Sequence, residues 1–318
     1  MAVSKSADDK RKRLNLLEDL QKSTRLGNGQ KKWLREELVR TRKGIQGESE
    51  SAYYLDQYFK HGENHVLLHD LRLVLDADVA QIDHLVFNRL GHIYMIETKN
   101  YAGSVSINDF GEFTVDYDGD RFGVPSPIEQ SRRHEGVLRR MLERLDIKPR
   151  IGGGFEFHHV VLFHPKAIIH RPAAKTFDSS NVIKADQFPS WHDRFVQKEV
   201  GAATLLLGAA NLRSLETIRE WGEKLKRQHR PFDPLALPEF MRPGEETPRA
   251  APVAARLNGA ATKEVTKVVM TSAAPAGAKR LICLQCNAKI TFAEGKFCWN
   301  NVARFNGGQY CREHQAMF

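Results

Sequence analysis

One stretch of this chain restricts its fold more than any other: residues 79–99, where two apolar runs flank a short polar break. The runs read Val79-Ala-Gln-Ile-Asp-His-Leu-Val-Phe87 and His92-Ile-Tyr-Met-Ile-Glu-Thr-Lys99, and Asn88-Arg-Leu-Gly91 joins them. Runs this apolar, bounded by turn residues, predict a hairpin of two largely buried strands. The turn sets the register. With Arg89-Leu90-Gly91 as a three-residue loop and Gly91 left-handed, Asn88 pairs with His92 and Asp83 falls opposite Glu97. A two-residue loop would put the two acids on opposite faces. Glycine at position 91 favours the longer loop, because it takes the left-handed conformation without steric cost. Lys99, two residues beyond Glu97, shares its face. Two carboxylates about 4 Å apart repel by roughly 4 kcal/mol at an effective dielectric near 20, so the hairpin calls for a cation between them. Oxygen donors select a hard divalent ion, Mg²⁺ or Mn²⁺.

The flanking sequence supplies partners for this hairpin. Residues 8–22 and 30–42 read as two charged helices broken at Gly27-Asn-Gly29, and a further helix runs over about 48–60. Strands are predicted at about 65–74, 103–107 and 112–117, a long helix at 128–145, short strands at 159–164 and 181–184, and an amphipathic helix at 215–228. This is an α/β pattern. Residues 233–279 are rich in Pro, Ala, Thr and Gly without periodicity, so they read as a flexible linker. The expected organisation is a basic helical extension (1–43), an α/β domain (44–232), that linker, and a small module at 280–318.

Two helices add polar residues where apolar ones are expected. Glu48 lies on the helical face that carries Ala52, Leu55 and Phe59, so it points inward. Gln130 and His134 are four apart and continue the row of Val137, Leu138, Met141 and Leu145. Each signal taken singly is weak, since an isolated Glu-x-Lys is commonly a solvated strand end. A strand Asp, a strand Glu-x-Lys on the same face and an inward helix Glu rarely coincide by accident.

Residues 44 to about 140, with Gly47-Glu48, Ala80-Gln-Ile-Asp-His84, Ile96-Glu-Thr-Lys-Asn-Tyr101, Gly103 and Pro127-x-x-Gln130, resemble the nuclease-related domain (NERD) family of the PD-(D/E)xK superfamily. The resemblance implies a restriction-endonuclease-like mixed sheet flanked by helices, continuing to about residue 232. It also implies an active-site set of Glu48, Asp83, Glu97, Lys99 and Gln130, to which His134 is added from its helical position. On that reading Asp83 and Glu97 hold Mg²⁺, Lys99 orients water or stabilises charge on phosphate, Glu48 positions an ion, and Gln130 contacts phosphate or holds Lys99.

All four cysteines, Cys283, Cys286, Cys298 and Cys311, fall in the last 36 residues, a distribution suited to local metal binding rather than a disulfide framework. Cys283-x2-Cys286 and Cys311-x2-His314 have the spacing of a four-coordinate structural Zn²⁺ site, with Cys298 as a fifth candidate. The segment is too short to hold a core without such a staple. Net charge is +9, and residues 1–43 hold thirteen Lys/Arg against six Asp/Glu, so a polyanionic partner is expected, nucleic acid and DNA before RNA. The longest apolar stretch, 201–212, is too short and too interrupted to span a bilayer, and the N-terminus lacks a signal-peptide core, so the expected location is cytoplasmic, away from membranes. The reading is a metal-dependent nuclease. The alternative is a catalytically silent nucleic-acid-binding scaffold that retains the fold.

Overall fold

The apolar runs between residues 65 and 99 form three consecutive antiparallel strands: β2 (His65–Leu75), β3 (Asp78–Asn88) and β4 (His92–Lys99). In the computed structural model the described residues are 3–101, 103–117, 119–150, 154–199, 212–241, 281, 283, 286, 288–305 and 309–316. The chain divides into two units, Met1–Thr247 and Pro248–Phe318. In the first, a strand at each edge and one beside β4 complete a six-stranded mixed sheet. These are β1 (Val3–Lys5), β8 (Glu156–Phe163) and β10 (Val182–Lys184), in the order β1-β2-β3-β4-β8-β10, each joining its neighbour in parallel. A smaller sheet contains β5 (Ser104–Ile107), β6 (Phe113–Tyr117), β7 (Asp120–Val124) and β9 (Ile168–His170), ordered β7-β6-β5-β9.

Helices cover both faces of the large sheet, as a parallel β4–β8 pair requires of its crossover. On one face α3 (Pro127–Arg144) and α5 (Leu215–Gln228) bury Leu138, Met141, Ile218 and Trp221 against Leu71, Leu85 and Ile93. On the other, α2 (Asn28–Phe59) and α4 (Phe188–Glu199) bury Leu55, Phe59, Phe188 and Trp191 against Val86, Tyr94 and Val160. Pro127 in the first turn and the Ser126 hydroxyl accepting from Glu129 N start α3 where the sequence predicts it. Strands β7 and β9 and helix α4 have no counterpart in the sequence reading.

Two expected boundaries need correction. The helices expected at 30–42 and 48–60 are one continuous helix, α2, which runs through the expected boundary at 43/44. Gly47 does not end the helix. A Cβ there would sit 2.6 Å from Asn100 Cβ, so this glycine serves the close approach of the helix to the end of β4. The N-terminal segment is likewise no free arm: β1 pairs with β2, and α1 (Arg11–Lys22) packs on α2 through Leu17, Leu26, Leu34 and Leu38. The second correction concerns residues 233–241, expected as the start of a linker. Met241 and Leu237 pack into that same satellite core, and Arg13 donates to Ala236 O at 2.5 Å. Residues 242–279 of the expected linker, and most of the apolar stretch at 201–212, lie outside the described residues. Among the described residues no helix is long and apolar enough to cross a membrane.

The second unit holds α6 (Phe292–Asn300), α7 (Val302–Phe305) and α8 (Arg312–Gln315). A reciprocal cap starts α6: Thr291 Oγ1 accepts from Glu294 N, and the Glu294 carboxylate accepts from Thr291 N. Phe305, 1% exposed, packs against Phe297 and Tyr310, so these rings form a miniature core.

Candidate active site and metal centres

The β3–β4 register runs from Phe87↔Ile93 to His84↔Ile96, and the same register sets Asn88 against His92 and Asp83 against Glu97. The connection is therefore the three-residue loop, with Gly91 at φ 95°. Asn88 closes it by accepting through Oδ1 from both Leu90 N and His92 N at 2.9 Å. At the other end of the hairpin, Thr98 N donates to Asp83 Oδ2 at 2.8 Å. Lys99 Nζ donates to Glu97 Oε1 at 2.7 Å and to Gln130 Oε1 of α3 at 3.1 Å. Four of the sequence-predicted residues thus form one connected set.

Strand β2 extends this set with an acid the sequence reading missed. His69 pairs with His84 and Leu71 with Ile82, so Asp70 stands opposite Asp83, and Asp70, Asp83 and Glu97 lie in a row across three strands. Asp70 has φ 52°, a left-handed conformation that aspartate tolerates better than most side chains. The core-facing residues change phase there, from Val66 and Leu68 to Leu71, Leu73 and Leu75 on β2, and from Ala80 and Ile82 to Leu85 and Phe87 on β3. Gln81 Nε2 and Asp8 N donate to the Asp70 carboxylate, at 2.5 and 3.1 Å. An acid inside the apolar run His65–Leu75 was the available signal.

Glu48, on α2, meets a second missed residue. Lys10 Nζ lies 2.5 Å from Glu48 Oε2 and 3.4 Å from Asp70 Oδ2. Nothing local in the sequence announces a contact between residues 38 positions apart. A cavity of about 540 Å³ opens beside this cluster, lined by Lys10, Arg13, Glu37, Glu48, Asp70 and Gln81 among others.

Burial first, and neighbouring charges after it, raise the pKa of Glu48, Asp83 and Glu97. Burial pushes the Asp83 carboxyl well above its ordinary 3.8, and the charges of Glu97 and Glu48 push it further, while the Thr98 amide and Lys99 oppose them. Glu97 is 4% exposed. Burial raises its pKa, Glu48 adds to the rise, and the Lys99 ammonium offsets part of it. Glu48 is raised by burial and by Asp70 against the pull of Lys10 and Lys99. Burial disfavours the Lys99 ammonium, but Glu97 and Asp83 more than compensate, so Lys99 stays charged. His134 is held neutral: burial first, then Arg133 and Lys99, bring it to about 4.

The ligand atoms of Glu48, Asp83 and Glu97 are not all within 4.8 Å of one another, because Lys10 draws Glu48 aside and Lys99 holds Glu97. Cys283, Cys286, Cys311 and His314 are that close. Their separations are 3.8 Å for Cys286 Sγ to Cys311 Sγ, and 3.8 and 3.1 Å from His314 Nδ1 to the Sγ atoms of Cys283 and Cys311. Tetrahedral bonds of 2.3 Å to sulfur and 2.0–2.1 Å to nitrogen imply about 3.8 Å between sulfurs and about 3.5 Å from sulfur to nitrogen. The quartet fits a structural metal centre of the Zn²⁺ type. Cys298 is fully buried and stands outside the quartet, bonded to Tyr310 N and O and to Gln315 Nε2.

Residues 43–164 match the family model of the nuclease-related domain. Over that segment the chain is similar to the nuclease-related domain family. No curated protein and no solved structure matches the chain. The matched segment begins inside α2 and ends just past β8, so it takes in Glu48, the acidic hairpin, Gln130 and the crossover helix that carries it. Lys10 lies outside that segment, although the fold delivers it to the same cluster.

Proposed function

We propose that the nuclease-related domain hydrolyses phosphodiester bonds of nucleic acid, DNA in preference to RNA, with a divalent cation of the Mg²⁺ or Mn²⁺ class. One observation carries this reading: Asp83 and Glu97 are cross-strand neighbours, the Glu97 charge raises the proton affinity of Asp83, and Lys99 is held beside them by Gln130. A structural role gives no reason to crowd acids this way, whereas a hard cation relieves their repulsion. The donor set therefore fits such an ion, with Asp83 and Glu97 holding it and Glu48 contributing once freed from Lys10. When bound, it supplies Lewis-acid polarisation of the phosphate and a lower pKa for the attacking water.

The chain's own residues supply the rest. Glu97 and Gln130 fix Lys99 Nζ from two sides, so the ammonium is preorganised to donate to a non-bridging phosphate oxygen as negative charge grows there. Thr98 N fixes the Asp83 carboxylate, leaving its second oxygen for a ligand. The excess of Lys and Arg, net +9, gives the favourable long-range field for a polyanion. Zn²⁺ at the Cys283, Cys286, Cys311 and His314 quartet serves the second unit as a structural staple. The Lys10–Glu48 ion pair favours a second reading, a binding scaffold whose site is neutralised in cis. Incubation of the full chain with supercoiled, linear and single-stranded DNA and with RNA, under Mg²⁺ or Mn²⁺, separates the two. Cleavage that disappears in Asp83→Ala and Lys99→Ala, with binding retained, supports the enzyme. Cleavage equal in wild type and Asp83→Ala marks a contaminant, and binding without cleavage under either metal favours the scaffold.

A further inference from the structure

The second candidate metal site lies far from the acids, at the opposite end of β4. His92 opens β4 and pairs with Glu156 at the start of β8, and His158 follows two residues later on the same face of β8. Lys99 is seven residues along β4 from His92, about 23 Å at strand rise, and on the opposite face. The three side chains converge. His92 Nδ1 is 2.9 Å from His158 Nε2 and 3.3 Å from Glu156 Oε2, and His158 Nε2 is 3.8 Å from Glu156 Oε1. Among the described residues only this group and the cysteine quartet bring three or more ligand atoms within 4.8 Å.

We propose that His92, Glu156 and His158 form a second, independent transition-metal site, of the Zn²⁺ class, that clamps the parallel seam between β4 and β8. Bonds of 2.0–2.1 Å at tetrahedral angles place ligand atoms about 3.3 Å apart, which matches His92 Nδ1 to Glu156 Oε2 at 3.3 Å and lies near the 2.9 Å between the two imidazole nitrogens, while the second carboxylate oxygen faces His158. The two imidazoles are stacked with ring centroids 5.2 Å apart, and both turn a nitrogen toward the same point. An ordinary hydrogen bond between them uses one proton and one lone pair, and adds no reason for a carboxylate to approach both nitrogens. A shared cation does. The surroundings hold the rings in place: Tyr94 and Phe195 pack on His158 with centroids at 5.1 and 4.7 Å. Imidazole nitrogens with one carboxylate select Zn²⁺ or its neighbours over Mg²⁺. Three protein ligands, with Glu156 at the solvent edge, leave a fourth position open.

The test uses the full chain carrying Cys283→Ser and Cys311→Ser, which removes the thiolate centre, with millimolar Mg²⁺ present to occupy the carboxylate site. Dialysis against Zn²⁺ followed by metal analysis is expected to find one zinc per chain. Co²⁺ in its place is expected to give visible bands without the thiolate charge-transfer absorption of the cysteine centre. His92→Ala in that background is expected to lose the ion, and Glu156→Gln, at an exposed position that leaves the fold intact, to weaken it by at least about tenfold. Zinc absent from the cysteine-depleted chain overturns the proposal. So does zinc bound with unchanged affinity in both His92→Ala and Glu156→Gln. Cleavage activity plays no part in this readout, so its outcome is separate from that of the nuclease reading.

Discussion

Asp83→Asn is expected to make the protein more stable while removing its activity, and the size of the gain follows from the row of acids. Asp83 stands between Asp70 and Glu97, with Glu48 also in its field. Two carboxylates about 4 Å apart repel by roughly 4 kcal/mol at a dielectric near 20. Lys99 and the Thr98 amide offset part of this, leaving about 2 kcal/mol. Asparagine keeps an oxygen to accept from Thr98 N and offers an N–H toward Glu97, so it loses no bond and gains one. In a unit of this size 1 kcal/mol moves Tm by about 2–4 °C, so the variant should melt roughly 4–8 °C higher at pH 8 in EDTA. The pH dependence fixes the cause. An acid whose folded pKa is raised above 3.8 costs stability only where it ionises, so the offset is largest above the folded pKa. It falls to about half a kcal/mol near pH 4, where the folded acid is protonated and the unfolded one is not yet fully so. Added Mg²⁺ should raise the Tm of the wild type more than that of the variant. Thermal unfolding followed by circular dichroism between pH 4 and pH 8 gives all three readings. An Asp83→Asn protein less stable at pH 8, or an offset equal at both ends of the range, refutes the argument from charge crowding.

Lys10→Met should lower apo stability by about 1 kcal/mol, since the pair with Glu48 is partly solvated, and should tighten Mn²⁺ binding measured by calorimetry. Weaker Mn²⁺ binding would show that Lys10 does not compete with the cation. Gly91→Ala meets no atom within 4 Å of its new Cβ, so only the positive φ opposes it. A loss of about 1–2 kcal/mol in denaturant unfolding is expected, and no loss would mean the loop is not left-handed there. Cys298→Ser should keep its zinc, because Cys298 bonds to Tyr310 and Gln315 instead, whereas Cys311→Ser should lose it; metal analysis of the two proteins decides. Removal of residues 1–43 should abolish soluble expression, because the cut falls inside α2 and strips Leu17, Leu34 and Leu38 from a core.

How much of this was legible in the sequence depends on the range of the interactions. The hairpin register was legible, because Asn88-Arg-Leu-Gly91 sets the loop length and the period of two then carries Asp83 to Glu97 and Glu97 to Lys99. So was the convergence of Cys283, Cys286, Cys311 and His314, because two Cys/His pairs at fixed spacing suit a tetrahedron before any fold is known. Helices α3 and α5 were legible from their apolar spacing. The start of the helix expected at 48–60 was misplaced, since Gly47 lies inside α2 and marks a close approach to Asn100, and local pattern does not distinguish that use of glycine from a helix boundary.

What the tertiary structure alone decided are the contacts between distant segments. Lys10 reaches Glu48 only because β1 docks parallel to β2 and returns the chain across the sheet edge. Asp70 joins the acids only through its place on β2 opposite Asp83, and its carboxylate partners come from residues 8–10 and from Gln81 of β3. His92, Glu156 and His158 meet because a crossover of more than fifty residues lays β8 parallel to β4 in one particular register. The sequence determined which chemical groups each strand and helix carries and on which face, since those depend on periods of 2 and 3.6. It left open which groups face each other across strands far apart in the chain, because that depends on topology and register, which are settled by burial of the whole core.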